Sequence, residues 1–382
     1  MQDFDDVREG VRRLCARFPA EYWRQCDRER DYPEAFVGAM TEAGYLAALI
    51  PEEYGGTGLG VMEASVILEE INRCGGNAAQ CHAQMYTMGT VLRHGSPEQK
   101  MRWLPGIADG SIRLQAFGVT EPGAGSDTTH LETVATWDGA DYRVSGQKIF
   151  ISRVQHSDYL LLLARTTPVN AVRKRSEGLS AFMVDLHDAL EHGLRVQPIE
   201  TMMNHETNAL FFDQVPVPRE NLIGEEGEGF KYILDGMNAE RILIAGECLG
   251  DGYFFIDRAV QYARQRVVFG RPIGQNQGIQ FPLARAYASL RAADLMRTEA
   301  AGRFDRGESA GESANIAKLL ASEASWEAAN AAIQTHGGYG FATEYDIERK
   351  FRETRLFQVA PVSTNLILAY LGEHVLGLPR SY

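Results

Sequence analysis

The spacing of apolar residues changes twice along this 382-residue chain, and that double change limits the folds open to it. Up to about Gly110, apolar residues recur at three- and four-residue intervals: Val7, Val11, Leu14 and Cys15, then Phe36, Met40 and Ala43, then Ala64–Ile71. Such spacing puts side chains on one face of a helix. The stretch PEEYGGTG (Pro51–Gly58) interrupts it with turn chemistry, and the methionines of Gln84–Met88 read as core filling. From about Leu114 to Val217 the pattern shortens. Arg143–Ser152 alternates, and brief apolar or β-rich runs follow at Tyr159–Ala164, Leu179–Val184, Leu194–Ile199 and Asn208–Phe212. Asp138-Gly139, Gly178, Gly193 and the Pro216/Pro218 pair supply turns between them. Beyond Glu226 the helical period returns. Phe230, Ile233, Leu234, Met237, Arg241, Ile244 and Cys248 form one stripe, and further helices are expected over roughly 251–266, 277–304, 312–335 and 363–376. The pattern predicts an α+β multidomain chain. Its parts are an N-terminal all-α domain (1–113), a middle antiparallel β-barrel domain (114–222) and a C-terminal four-helix-bundle domain (223–382).

A net charge of -13 argues against a nucleic-acid footprint, which needs clustered Lys and Arg. The five cysteines (Cys15, Cys26, Cys74, Cys81, Cys248) form neither a paired framework nor a metal-ligand spacing, and read as buried thiols of a reducing compartment. The acidic start MQDFDDVREG lacks the basic-then-apolar pattern of a signal peptide, and no apolar run is long enough to span a bilayer. A cytoplasmic protein without membrane insertion is the expectation.

At the opening of the β segment stands FGVTEPGAGSD (Phe117–Asp127). Its glycines allow a backbone to lie close against a ligand, while Thr120 and Ser126 add hydroxyl donors. Alone, such a loop is usually a turn. Here it is preceded by PEEYGGTGLG and followed by QTHGGYG (Gln334–Gly340) and ERKFRETR (Glu348–Arg355). Those motifs, in that order within a helix–β–helix chain, resemble the acyl-CoA dehydrogenase family of flavoproteins over nearly the whole length.

The resemblance implies FAD. Phe117, Val119, Thr120, Gly125 and Ser126 match positions along the flavin and its chain, and Ser126 also faces substrate. Where the family reads Trp-Ile-Thr or Trp-Ile-Ser, this chain has Phe150-Ile151-Ser152, which keeps an apolar wall and a hydroxyl for flavin N5 but loses the indole donor. The alternative to that flavin wall is that Phe150 is simply a strand core residue. Arg266 and Phe269 of RVVFGRPI, with Gln277, match positions that reach the FAD of a neighbouring subunit, and a homotetramer follows from that match. Gln334, Gly337 and Gly338, with Ser363 and Asn365, complete the implied cofactor set. Asn238 and Arg241 match positions that contact the CoA part of the substrate.

The implied reaction removes the α-proton of an acyl-CoA and passes hydride from Cβ to the flavin, with electrons leaving through an electron-transfer flavoprotein. It needs a carboxylate base in an apolar pocket. Most relatives carry that base in Tyr-Glu-Gly-Thr before the last helix. The matching segment here is Val359-Ala360-Pro361-Val362-Ser363, so a proline, which has no N–H, replaces the acid. A smaller branch, including isovaleryl-CoA and long-chain dehydrogenases, places the base on the first bundle helix directly before an Arg. Glu240-Arg241 matches that arrangement. Glu240 lies three residues from Met237 and seven from Ile233, hence on the apolar stripe. The bland alternative is a buried ion pair. Two other functions stay open on sequence grounds: a flavin oxidase of the same fold, and a catalytically silent acyl-CoA-binding subunit. Acyl chain length and branching are not legible.

Overall fold

The computed structural model describes residues 4–380; Met1–Asp3, at the head of the expected N-terminal segment, lie outside it, as do Ser381 and Tyr382. Six helices come first: α1 (Asp5–Cys15), α2 (Ala20–Glu29), α3 (Glu34–Glu42), α4 (Val61–Arg73), α5 (Ala79–His94) and α6 (Pro97–Asp109). The sheet segment follows, with β1 (Ala116–Gly118), β2 (Val134–Trp137), β3 (Asp141–Ser152), β4 (Tyr159–Arg165), β5 (Leu179–Asp185), a short helix α7 (Leu186–Glu191), β6 (Leu194–Pro198), β7 (Thr207–Pro218) and β8 (Leu222–Ile223). The chain then returns to helix: α8 (Gly229–Gln265), the hairpin β9 (Val267–Val268) and β10 (Arg271–Pro272), α9 (Gln277–Asp305), α10 (Gly311–His336), α11 (Ile347–Arg355) and α12 (Thr364–Tyr370). The expected order of helical, β and helical domains is what the chain adopts.

The chain divides into two compact units. The sheet-bearing unit takes Arg30–Leu59 and Ala79–Met237. Its strands run in the order β6-β7-β3-β2-β4-β5-β8, with β1 also on β4; pairing is antiparallel except at β1–β4 and β2–β4. β4 explains why its sequence reads as an unbroken apolar run. Leu161 and Leu163 enter a core with Trp103, Leu104 and Ile107 of α6, while Leu160, Leu162 and Ala164 enter a second core with Phe182 and Val184. Both faces are covered, so neither set of positions is polar. Helix α6 starts on a reciprocal cap, Ser96 accepting from the Gln99 N–H (3.2 Å) and Gln99 from the Ser96 N–H (2.9 Å), and stops at Gly110 (φ 83°). Pro216 and Pro218, expected as turn residues, instead sit within β7 opposite Arg143 and Asp141. β6 pairs only with 208–212, so this end of β7 is open on one side, where a proline costs no ladder bond.

The helical unit holds the chain up to Glu29, Gly60–Ala78 and everything from Asn238. Two expectations are corrected here. The stripe and the separate helix at 251–266 are one continuous helix, α8. Two glycines in this helix serve close packing: a Cβ at Gly250 would come within 2.2 Å of the Glu69 carbonyl, and one at Gly252 within 2.2 Å of Leu290. The stripe is only part of what is buried: Ile233, Ile244 and Cys248 are inside, Phe230, Met237 and Arg241 half-buried. Leu234 is exposed, while every residue from Ala239 to Ile256 except half-buried Arg241 is buried, as expected of a helix surrounded on all sides. Charges inside this unit are paired. Glu69 of α4 meets Arg297 of α9 (3.0 Å) and Arg8 of α1 (2.8 Å), and Lys350 of α11 meets Asp251 of α8 (2.6 Å). ERKFRETR thus acts as structural wiring: Arg349 and Lys350 also donate to the carbonyls of Gly75 and Gly76. Cys15, Cys81 and Cys248 are buried thiols as expected, but Cys26 is half-buried and Cys74, at the C-terminal cap of α4, is exposed.

Candidate active site

In the sheet-bearing unit, β1 sets Phe117 opposite Leu161 and delivers the chain into the loop after Gly118. A pair that sequence reasoning missed pins this loop. Lys148 is fully buried on β3, and its Nζ donates to Glu121 (2.8 Å) and to the Val119 carbonyl (3.0 Å). The Glu121 carboxylate also accepts the backbone N–H groups of Glu132 (2.7 Å) and Thr133 (3.0 Å). Burial works to raise the Glu121 carboxyl, but Lys148 and these donors outweigh it and hold it below the usual range. Burial pushes Lys148 down to about 8 against the pull of Glu121. The signal was available: counting by two from Tyr142 and Val144 puts Lys148 on an inward position, and a buried ammonium needs a carboxylate.

The pinned loop presents bare backbone. Pro122, Gly123, Gly125 and Ser126 are exposed, and Val119 and Thr120 are half-buried. A Cβ on Gly123 or Gly125 would meet nothing within 4 Å, and neither residue has positive φ. These glycines therefore serve neither a strained turn nor internal packing; their missing side chains leave a surface on which a flat ligand can lie. Alongside, the Ile149 N–H donates to the Thr120 carbonyl (2.9 Å), which ties the loop to a register shift in β3 between Lys148 and Ile151. In that bulge Phe150 has φ 59° and its side chain is 60% exposed. The strand-core alternative for Phe150 is overturned, since the bulge turns the ring outward.

Ser152 follows on the same strand. Its Oγ accepts from Asn204 Nδ2 (2.6 Å) and lies 3.3 Å from Thr207 Oγ1. Asn204 is oriented in turn by Arg153 Nη2, which donates to its Oδ1 (3.1 Å). Thr207 gives its own proton to the Asn204 carbonyl (2.6 Å), so the Ser152 proton can go to Thr207 Oγ1 or to a bound ligand. Nothing in the sequence marked Asn204, more than fifty residues distant. A bare loop, an outward aromatic ring and an oriented hydroxyl on neighbouring strands fit the flavin end of FAD.

The helical unit carries the acid–base candidates. Glu240 is buried to 1% exposure on α8. Two residues earlier on the same helix is Asn238, whose Oδ1 accepts from Arg241 Nη1 (3.1 Å). Burial lowers the Arg241 guanidinium, and Glu240 and Tyr370 oppose that. Pro361 lies in the segment leading to α12, whose first turn is capped by Ser363 accepting from the Leu366 N–H (3.3 Å). Ser363 and Asn365 line a recess of about 350 Å³ with Arg355, Gln358 and Val359. Elsewhere in the unit, Arg266 stacks on the Tyr339 ring at 5.8 Å, which brings it beside the Gly337–Phe341 turn. Gln334 caps that turn with its carbonyl, accepting from the Gly337 N–H. Gly337 (φ 59°), Gly338 and Gln277 are exposed, and Phe269 is fully exposed at the tip of the β9–β10 hairpin.

Three family descriptions match the chain in sequence: the acyl-CoA dehydrogenase N-terminal domain over residues 1–111, the middle domain over 116–215 and the C-terminal domain over 227–375. The chain belongs to the acyl-CoA dehydrogenase family. Acyl-CoA dehydrogenase FadE12 of Mycobacterium tuberculosis is 35% identical over 381 residues, covering 98% of this chain and 96% of that protein. Among solved structures, the glutaryl-CoA dehydrogenase–glutaryl-CoA complex superimposes with a TM-score of 0.92 at 30% identity, covering 100% of this chain and 97% of its own. A chain from the structure of the electron transferring flavoprotein of Acidaminococcus fermentans does so at 0.92 and 30%, covering 98% of each. Enzymes that carry the family's name are oxidoreductases, and this acyl-CoA dehydrogenase is one of them. Among the described residues no helix is long and apolar enough to cross a membrane.

Proposed function

We propose that the chain is an FAD-dependent acyl-CoA dehydrogenase that forms the trans-2-enoyl-CoA with Glu240 as its base. One observation carries the reading: a carboxylate buried to 1% exposure stands directly before Arg241, while the loop that bears the acid in most relatives has Pro361. The glutaryl-CoA complex of a chain of the same fold supports a CoA thioester as substrate. Glu240 accepts the α-proton, and burial keeps water from competing for it. Arg241, oriented by Asn238, and Ser126 bind the CoA portion. FAD supplies the hydride acceptor when bound. Phe117, Val119, Thr120, Gly125, Ser126, Phe150 and Ser152 hold its flavin portion; Gln334, Gly337, Gly338, Ser363 and Asn365, with Arg266, Phe269 and Gln277 from a neighbouring copy, hold the rest. Electrons leave to an electron-transfer flavoprotein, a homotetramer is the working assembly, the cytoplasm its location, and 1–113, 114–222 and 223–382 its domains. The helix-borne base favours branched or longer acyl chains.

Glu240→Gln tests this directly. It keeps shape and hydrogen bonding but cannot take a proton, so anaerobic bleaching of the flavin by a panel of acyl-CoAs should fall by at least roughly 10²–10⁴-fold. FAD content and acyl-CoA binding should remain. Bleaching at the wild-type rate would place the base elsewhere. Rapid recolouring of reduced wild-type enzyme in air would make it an oxidase.

A further inference from the structure

Lys318 of α10 is a buried cation that the proposed chemistry leaves unused. It is fully buried, and Ala314, Ala317 and Ala321 on the same helix face are all 0% exposed. Its Nζ donates to the carbonyl of Phe357 and to the carbonyl of Val362 (2.7 Å). Those two carbonyls bracket the segment that contains Pro361. An ammonium has three donors, so one remains after both ends of the segment are served. The charged and titratable groups that face it are Cys248, Glu240 and Arg241, all on α8. Among these, Cys248 and Glu240 favour the ammonium and Arg241 opposes it.

We propose that Lys318 is a positioning residue: its single ammonium staples both ends of the 357–362 segment and lies within electrostatic reach of Glu240, so loop position and base ionisation depend on one charge. Three physical consequences follow. The segment has lost a backbone donor at Pro361, so its geometry depends more on the carbonyls that Lys318 holds. Charge-assisted hydrogen bonds of this kind are about twice as strong as neutral ones. The same cation favours the carboxylate form of Glu240, which is the form a base requires. Burial pushes Lys318 down to about 8, so the charge is lost on the alkaline side of neutrality, where the wild type itself reports on it.

The coupling to Glu240 rests on the reading of that residue as base, whereas the staple does not, and the experiment separates them. In the holoenzyme of Lys318→Met, hydrogen–deuterium exchange of the peptide covering 356–364 should rise at least severalfold over wild type. The acid limb of the reductive half-reaction against pH should move upward by about half a unit or more, since Glu240 loses a favourable cation. Lys318→Gln, which keeps a donor without the charge, should restore part of the exchange protection but leave the limb displaced. Should neither variant fold, the wild type answers: the KM for an acyl-CoA should rise several-fold between pH 7 and 9 at constant flavin content. Unchanged exchange, an unmoved acid limb, or a flat wild-type KM overturns the proposal. Failure of Glu240 as base would show instead as wild-type bleaching in Glu240→Gln and would leave the exchange result standing.

Discussion

Single side chains at this site act through what holds them, and Ser152 is the clearest case. Its hydroxyl accepts from Asn204 at 2.6 Å, so Asn204 fixes where the oxygen sits while the serine proton is not used in that bond. Ser152→Ala should slow flavin reduction by about ten- to a hundredfold with FAD content nearly unchanged, the usual loss for one oriented donor. Asn204→Ala should slow it less, by severalfold, because the hydroxyl survives but its direction does not. Stopped-flow reduction of both variants checks this, and wild-type rates in both would mean that the hydroxyl faces no reacting group. At this scale the sequence was legible where chemistry is local. Glu240 is singled out because an acid sits before an arginine and the usual loop position holds a proline, and the structure buries it. Asn204 and Lys318 were missed because their partners lie 52 and more than 38 residues away, and only the folded chain brings them together. Lys318 had left a trace, a lysine on the inward face shared with Ala314, Ala317 and Ala321.

Among the elements, the loop between β1 and β2 shows how a buried ion pair shapes a ligand surface. Glu121 has its folded pKa depressed below the ordinary 4.5, so its contribution to stability is present above that value and is lost as pH falls through the folded value. Each unit of depression is worth about 1.4 kcal/mol. Wild-type melting temperature should therefore drop on acidification below pH 4.5, and the Glu121→Gln protein should show a shallower drop from a lower starting point. Lys148→Met strands a buried carboxylate and should cost about 3–5 kcal/mol, while the paired replacement Glu121→Gln with Lys148→Met should cost less than the sum of the two single replacements. Melting curves at several pH values decide it; equal acid slopes in wild type and Glu121→Gln would remove Glu121 from the account. Element type was legible because periodicity reports it. What misled was proline read only as punctuation. Pro216 and Pro218 lie within β7, paired with β3 on one side and open on the other.

For the whole molecule, the helical unit presents apolar groups that a lone chain has no reason to display. Phe269 is fully exposed on a hairpin tip with φ 52°, a strained setting for an aromatic residue, and Val267 beside it is 55% exposed. Phe281 and Leu295 of α9 and Phe341 are 60%, 67% and 75% exposed. Scattered apolar residues are ordinary on a surface, but a strained hairpin that holds a phenylalanine outward points to a partner that receives it. A second copy of this chain is the proposed partner, with Arg266 next to that hairpin reaching the cofactor held by the neighbour. Light scattering of the yellow protein should then give four times the chain mass of 42.4 kDa. Arg266→Ala removes charge-assisted hydrogen bonds, worth about 1.5–3 kcal/mol, and should weaken FAD retention by roughly ten- to a hundredfold on dilution or gel filtration. Phe269→Ser should shift the assembly toward smaller species without altering the fold, since Phe269 is fully exposed within its own chain. A fully flavinated monomer in light scattering, or an Arg266→Ala protein that keeps its flavin as the wild type does, would return both residues to the solvent.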